Sequence, residues 1–213
     1  MGQRSQIYFR INRIDGRYDF VARYFGWNYG TRMVSRARYT IEWIRSKQTS
    51  PYSLIGDEGR TKLSRIMEIN FDYKDVVLSA DILKEYEDDY YGDDYKAIIV
   101  GQDNNDGQLL IDMHVNWERP KNCFTYPVKL KYAFLDCRSD YIGDADAYMQ
   151  WNTHYGEEGY PWRYDTYIKD EIKYTERNIN YLRKNALLMT EEEVKEYINH
   201  DYISDMGIKR KEN

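Results

Sequence analysis

The residue types best suited to binding chemistry are concentrated in one run, WNYGTRMVSRARYTIEWIR, at residues 27 to 45. Two aromatic residues lead into it, and four arginines follow at helical positions. A guanidinium can form two parallel hydrogen bonds with a phosphate or a carboxylate, and an aromatic ring can stack on a base. The run therefore predicts a nucleic-acid-binding helix, whose candidate contacts are Trp27, Tyr29, Arg32, Arg36, Arg38 and Arg45.

The same run has a second interpretation, the solvated or internally paired outer face of an amphipathic helix. Arg38 and Glu42 are four residues apart, a spacing that forms a routine ion pair within a helix and neutralises part of the charge. The sequence pI near 5.4 is also far below that of a general nucleic-acid-binding domain. Both interpretations remain open at this point.

An acidic, tyrosine-rich run, EYEDDYYGDDY, occupies residues 85 to 95. It fits a solvated loop, a surface for a basic partner, or a divalent-cation site. The ligand spacing typical of a cation site is missing, whereas interleaved tyrosines favour a contact surface. The partner-binding candidates are Glu85, Glu87, Asp88, Asp89, Tyr90, Tyr91, Asp93 and Asp94.

Catalytic patterns are weak. A carboxylate followed two residues later by lysine at the start of a strand could hold Mg²⁺ for a nuclease. Asp94 and Lys96 fit this pattern, with Asp81 or another acid completing the site. Such triplets also arise by chance in a chain with 36 acidic residues. The histidines and cysteines show no zinc-ligand spacing, and no phosphate-binding glycine loop or nucleophile elbow is present. We therefore assign no catalytic residue, metal or cofactor, and favour a non-enzymatic protein.

Composition predicts a folded chain. Its 213 residues suffice for a substantial core, the net charge is only −5, and 23 tyrosines supply large apolar faces. Charge is unevenly spread: residues 1–50 hold ten Lys and Arg against three Asp and Glu, and residues 51–100 hold six against twelve. These blocks either face each other or form separate patches.

The lack of an apolar membrane segment or signal peptide, together with two cysteines, predicts a cytoplasmic protein.

The elements that must position these residues follow from hydrophobic periodicity. Alternation predicts a hairpin of strands 6–12 and 18–27 about an Asp15 and Gly16 turn, followed by a helix that Asn28 or Thr31 caps and that runs to about Lys47. The remaining predicted elements are helices at 60–70 and 75–86, strands at 95–101, 109–117 and 124–136, an irregular stretch at 138–163, a helix at 165–186, and a last helix opened by a capping box at 190–193.

This order predicts one α+β domain over residues 1–213. We expect an antiparallel sheet of about five strands with helices packed on one side, and a C-terminal helical pair at about 165–204.

The stretches MGQRSQIYFRIN and YFGWNYGTRMVSRARYTIEWI resemble small proteins of phages, prophages and other mobile elements of Gram-positive bacteria, over about the first 45 residues. The resemblance carries no catalytic residues. It implies a setting in which accessory proteins are often non-enzymatic inhibitors of host defence, including anti-CRISPR proteins. The expected function is binding to a host protein or nucleoprotein, with direct nucleic-acid binding and a metal-dependent nuclease as alternatives.

Overall fold

A computed structural model describes residues 4–47, 50–69, 72–73, 78–87, 98–99, 105–118, 121, 125–153 and 171–208. The strands in these ranges are β1 (Arg4–Asn12), β2 (Tyr18–Gly26), β3 (Ser79–Asp81), β4 (Gln108–Val115), β5 (Val128–Leu135), β6 (Tyr141–Gly143) and β7 (Leu187–Leu188). The helices are α1 (Thr31–Ser46), α2 (Gly56–Glu68), α3 (Ile82–Glu87), α4 (Ala145–Thr153), α5 (Ile172–Asn185), α6 (Glu191–Asn199) and α7 (Tyr202–Met206), and a 3-10 helix spans Pro51–Leu54.

The strands form one seven-stranded mixed sheet in the order β3-β2-β1-β4-β5-β6, with β7 also paired to β5. β1 is parallel to β4 and β5 is parallel to β7, whereas the other neighbours are antiparallel. The fold is α+β as predicted, but the expectation of an antiparallel sheet of about five strands is wrong. Side-chain alternation indicates which residues share a face, and it does not indicate the direction in which two distant strands pair.

Helices cover both faces of the sheet, so the prediction of helices on one side is also wrong. Ile7, Phe9 and Ile11 face α1, α2, α4 and α5, and Tyr8 faces the layer that contains α3, α6 and α7. Because α5 and α6 pack on opposite faces, the C-terminal helices do not form a mutual pair. Tyr8 and Arg10 alternate with Ile7, Phe9 and Ile11 along β1, and both are buried under the second helical layer.

Most predictions based on local signals are confirmed. The predicted cap of α1 by Asn28 or Thr31 is wrong, because Gly30 holds the N-cap position and no described side chain caps the helix there. The first two strands form the expected hairpin, with Gly16 in the left-handed region at φ 84°. The buried stripe of α1 contains Val34, Ala37, Ile41 and Ile44, as its periodicity indicated. Thr190 and Glu193 form the expected reciprocal capping box at the start of α6.

Several boundaries differ from expectation. The stretch expected to be irregular contains β6 and α4, and the predicted helix at 75–86 is replaced in part by β3. The last predicted helix is interrupted between α6 and α7. Of the predicted strand 95–101, the structure describes residues 98 and 99, which form a turn. Within the described part of the chain, no helix is long and apolar enough to cross a membrane.

Candidate partner-binding site

The arginines of α1 do not share one surface, and Arg36 is the clearest departure from the predicted nucleic-acid helix. Its side chain is only 1% exposed. Nε donates to Oδ1 of Asn28 at 2.9 Å, Nη1 donates to the carbonyl oxygen of Met67, and the guanidinium lies 4.7 Å from the ring centre of Phe25. Burial lowers the pKa of Arg36 to about 10. Arg36 is thus a core residue, and we remove it from the predicted phosphate contacts.

Arg38 and Arg45 are directed toward α5. Arg38 pairs with Glu42 at 2.8 Å, as the spacing predicted, and its guanidinium lies 4.8 Å from the ring centre of Tyr181. Arg45 donates from Nη1 to the carbonyl oxygen of Asn185 at 3.0 Å. Both guanidiniums are therefore engaged by their own chain, on a different side of α1 from Arg32.

The loop between β2 and α1 exposes a tryptophan in a strained conformation. Trp27 has φ 59°, a left-handed value that side-chain-bearing residues rarely adopt, and it is 55% exposed. Gly26, the residue before Trp27, donates its N–H to the Leu78 carbonyl oxygen at 2.8 Å. Leu78, which is 69% exposed, therefore lies beside Gly26. Exposed large apolar residues next to each other are typical of contact surfaces.

Arg32 lies in the first turn of α1, five residues after Trp27, and it contacts Tyr73. The Arg32 guanidinium lies 5.0 Å from the ring centre of Tyr73. Tyr29 is half-buried in the loop that joins Trp27 to α1. We call the set of Trp27, Tyr29, Arg32, Tyr73 and Leu78 the Trp27 corner.

The corner rests on a compact hydrogen-bonded base. Three oxygen atoms, Thr31 Oγ1, Tyr73 Oη and Glu171 Oε2, form a triangle. The distance is 2.6 Å from Tyr73 to Thr31, 2.7 Å from Thr31 to Glu171 and 2.8 Å from Tyr73 to Glu171. Burial raises the pKa of Tyr73, so its phenol stays protonated and donates within the triangle. The triangle ties residue 73 to the starts of α1 and α5.

Asp72 forms a second tie to the same two helices. It accepts hydrogen bonds from Ser35 at 2.6 Å, Tyr39 at 3.0 Å and Asn178 at 2.9 Å. Burial alone would raise the pKa of Asp72, but these hydrogen bonds bring it below its usual value. The carboxylate therefore remains charged and fixed, and the base of the corner is held rigid.

The nuclease hypothesis gains no geometric support. Asp81 lies 3.9 Å from Arg23, and it accepts the Leu83 N–H at the start of α3. Asp94 and Lys96 lie outside the described residues. Among the residues that the structure describes, no group of three or more His, Cys, Asp or Glu side chains could hold a metal ion.

The predicted acidic contact surface is described only at its start. Glu85 and Glu87 lie on α3. The candidates that lie outside the described residues are Asp88, Asp89, Tyr90, Tyr91, Asp93 and Asp94. Part of the basic N-terminal block does face the acidic block that follows it, since Arg23 pairs with Glu68 and Asp81.

Sequence reasoning selected Trp27, Tyr29 and Arg32 but missed Leu78, Tyr73 and Glu171. These residues join the corner through tertiary contacts, and their local sequence carries no periodic or motif signal. Comparison of the chain with protein-family models, curated proteins and solved structures finds no match.

Proposed function

We propose that this protein is a non-enzymatic binding protein that docks on a host protein or nucleoprotein through the Trp27 corner. The observation that carries the proposal is the exposed indole of Trp27 on left-handed backbone. A left-handed conformation costs a side-chain-bearing residue roughly 1–2 kcal/mol. An exposed indole recovers little of that cost in the free protein, so a contact made in a complex explains both features.

The residue types of the corner support a protein partner. Tryptophan, tyrosine and arginine supply most of the binding energy at protein interfaces, where they are surrounded by apolar contacts such as Leu78 could make. The rigid base of Thr31, Tyr73 and Glu171 supports the same conclusion, because a surface that is already ordered loses less conformational entropy on binding. The resemblance of the first 45 residues to mobile-element proteins makes a host defence system the setting that we propose for this partner.

Direct nucleic-acid binding is the weaker candidate. Trp27 and Arg32 could still stack on a base and contact a phosphate. Arg36 is buried, however, and Arg38 and Arg45 contact other residues of this chain. The continuous cationic stripe that would follow a nucleic-acid backbone is therefore missing from α1.

The test is affinity capture from a Gram-positive bacterial lysate with the wild-type chain, Trp27→Gly and Ser139→Gly. Ser139 is the matched control because it also has a positive φ, 67°, and lies in the β5–β6 turn. Wild type and Ser139→Gly should recover the same host protein, and Trp27→Gly should lose it. With the purified partner, removing a central tryptophan should weaken binding at least about 30-fold, equivalent to about 2 kcal/mol.

Circular dichroism must show that Trp27→Gly stays folded. Capture of the same protein by Trp27→Gly at undiminished affinity would refute the role of the corner. Recovery of nucleic acid alone, with affinity that falls steeply as salt rises, would favour the second candidate.

A further inference from the structure

A cleft of about 560 Å³ lies between α2 and the β2–β3 edge of the sheet. The apolar stripe of α2, at Gly59, Leu63 and Met67, is buried in the core. A polar stripe of the same helix lines the cleft, with Asp57, Thr61, Ser64 and Glu68 at spacings of four, three and four residues. The helix therefore presents an ordered row of polar groups to an open cleft of small-molecule size.

Three arginines also line this cleft: Arg23, Arg60 and Arg65. Arg60 forms ordinary ion pairs, whereas Arg23 and Arg65 differ from it. Arg60 is engaged at both terminal nitrogens, because Nη1 donates to Asp19 at 3.0 Å and Nη2 pairs with Asp57. Arg65 is exposed and forms no ion pair within the part of the chain that the structure describes. Arg23, which points from β2, is only 7% exposed.

The guanidinium of Arg23 has hydrogen-bond donors left over. Its Nη2 donates to Glu68 and, at 2.6 Å, to Ser79. Among the described residues its buried Nε has no hydrogen-bond partner, and Nη1 lies 3.9 Å from Asp81, beyond hydrogen-bond distance. A buried charged group with unpaired donors is costly, so such an arrangement points to a missing acceptor.

The carboxylates of the cleft are held by its walls. Glu68 also accepts from Ser79 Oγ at 2.7 Å, and Asp81 Oδ1 accepts the Leu83 N–H at 3.1 Å. Three guanidiniums and three carboxylates line the space, and these bonds hold Glu68 and Asp81 in place without satisfying Nη1 of Arg23.

We propose that this cleft binds the anionic group, a carboxylate or a phosphate, of a small polar ligand. Arg65 and Nη1 of Arg23 hold the anion, with the Ser64 hydroxyl beside them on α2. Phe20 and Leu83 provide apolar walls for the rest of the ligand. The site is separate from the Trp27 corner, and it does not depend on the function proposed there.

The test is isothermal titration calorimetry of the full chain with sodium phosphate and, separately, sodium succinate, each matched in ionic strength with sodium chloride. Binding of phosphate alone identifies a phosphoryl ligand, and binding of succinate alone identifies a carboxylate ligand. Arg65→Gln should weaken binding by about 10- to 100-fold, the usual effect of losing a charged hydrogen-bond donor. Arg65 is exposed, so this variant should fold.

Lys62→Gln is the matched control, because Lys62 is an exposed cation on the same helix that pairs with Glu58 outside the cleft. It should bind the anion as wild type does. Two results would overturn the proposal: heats no larger than those of chloride for both anions, or equal losses of affinity in Arg65→Gln and Lys62→Gln. Equal losses would mean that only the general charge of α2 attracts the anion.

Discussion

Arg36 on α1 donates from Nε to Oδ1 of Asn28, 2.9 Å away in the loop that precedes the same helix. Both side chains are buried. Nδ2 of Asn28 donates in turn to Ser5 Oγ on β1 at 3.0 Å. The loop that presents Trp27 is thus anchored to the core on one side by a buried cation and on the other by the first strand.

Asn28→Ala should destabilise the fold by about 2–3 kcal/mol. The substitution leaves a buried, charged N–H without an acceptor, and the penalty for such a donor exceeds that for a neutral one. Urea denaturation at pH 7 measures the loss. Asn199→Ala is the matched control, since Asn199 is exposed and its side chain donates to the Lys195 carbonyl within its own helix, α6. If the two variants had equal stability, the Arg36–Asn28 bond would contribute nothing to anchoring the loop.

The fold was predictable from sequence where the signals are local. Asp15 and Gly16 set the first turn, and alternation set the strands beside it, so the hairpin could be derived without knowledge of the rest of the chain. Arg10 shows the limit of that reasoning. Alternation with Ile7, Phe9 and Ile11 would by itself place Arg10 in solvent, but α6 and α7 cover that face of the sheet.

Arg10 is buried there against the rings of Tyr18 and Tyr197, at 4.7 and 4.4 Å, and pairs with Asp112 at 3.1 Å. No pattern within β1 specifies a cation enclosed by distant aromatic residues. The candidate site follows the same rule. Trp27 and Arg32 were visible as residue types in one run, whereas the burial of Arg36 under Phe25 and Met67 depends on how α2 packs.

Ser139→Gly should stabilise the protein relative to Ser139→Ala by about 1–2 kcal/mol. Ser139 has φ 67°, and a Cβ atom makes that conformation unfavourable by this amount. Both variants lose the hydroxyl, and with it the 3.3 Å hydrogen bond to Gln108, so their difference isolates the backbone strain. Paired thermal and urea unfolding curves would measure it. Greater stability of the alanine variant would show that the turn is not strained.

Gly59→Ala should destabilise the protein severely. A Cβ at Gly59 would lie 2.2 Å from the carbonyl carbon of Leu54, a contact with backbone that no side-chain rotation can relieve. Separating α2 from the 3-10 helix would open the core around Leu63, at a cost of about 3 kcal/mol or more. Gly26→Ala is the control, since a Cβ there meets its nearest atom, Cβ of Leu78, at an ordinary 3.6 Å. Equal unfolding midpoints in the two variants would contradict this account of the α2 contact.

Asp106 should give the protein a component of stability that decreases as pH rises. Burial raises the pKa of Asp106 from 3.8 to about 6, against the opposing effects of hydrogen bonds from the Arg4 N–H and the Asn152 side chain. The folded state therefore binds this proton more tightly than the unfolded state does. Between about pH 4 and pH 6 the Asp106 contribution should fall by about 3 kcal/mol, and it should be constant outside that window.

Asp106→Asn isolates this contribution, because an amide stays neutral and its oxygen can still accept the Arg4 N–H, which lies 2.6 Å from Oδ2 in the wild type. The free energy of unfolding, measured in urea from pH 4 to pH 7.5, should fall relative to that of Asp106→Asn as pH rises through the window. Asp57→Asn, at a side chain that is 93% exposed, controls for the loss of one carboxylate. Other acidic groups titrate in the wild type and in the variant alike, so only Asp106 contributes to the difference. A difference that stays constant with pH would show that the Asp106 carboxyl ionises at its ordinary pKa, and one that increases would show that folding lowers this pKa.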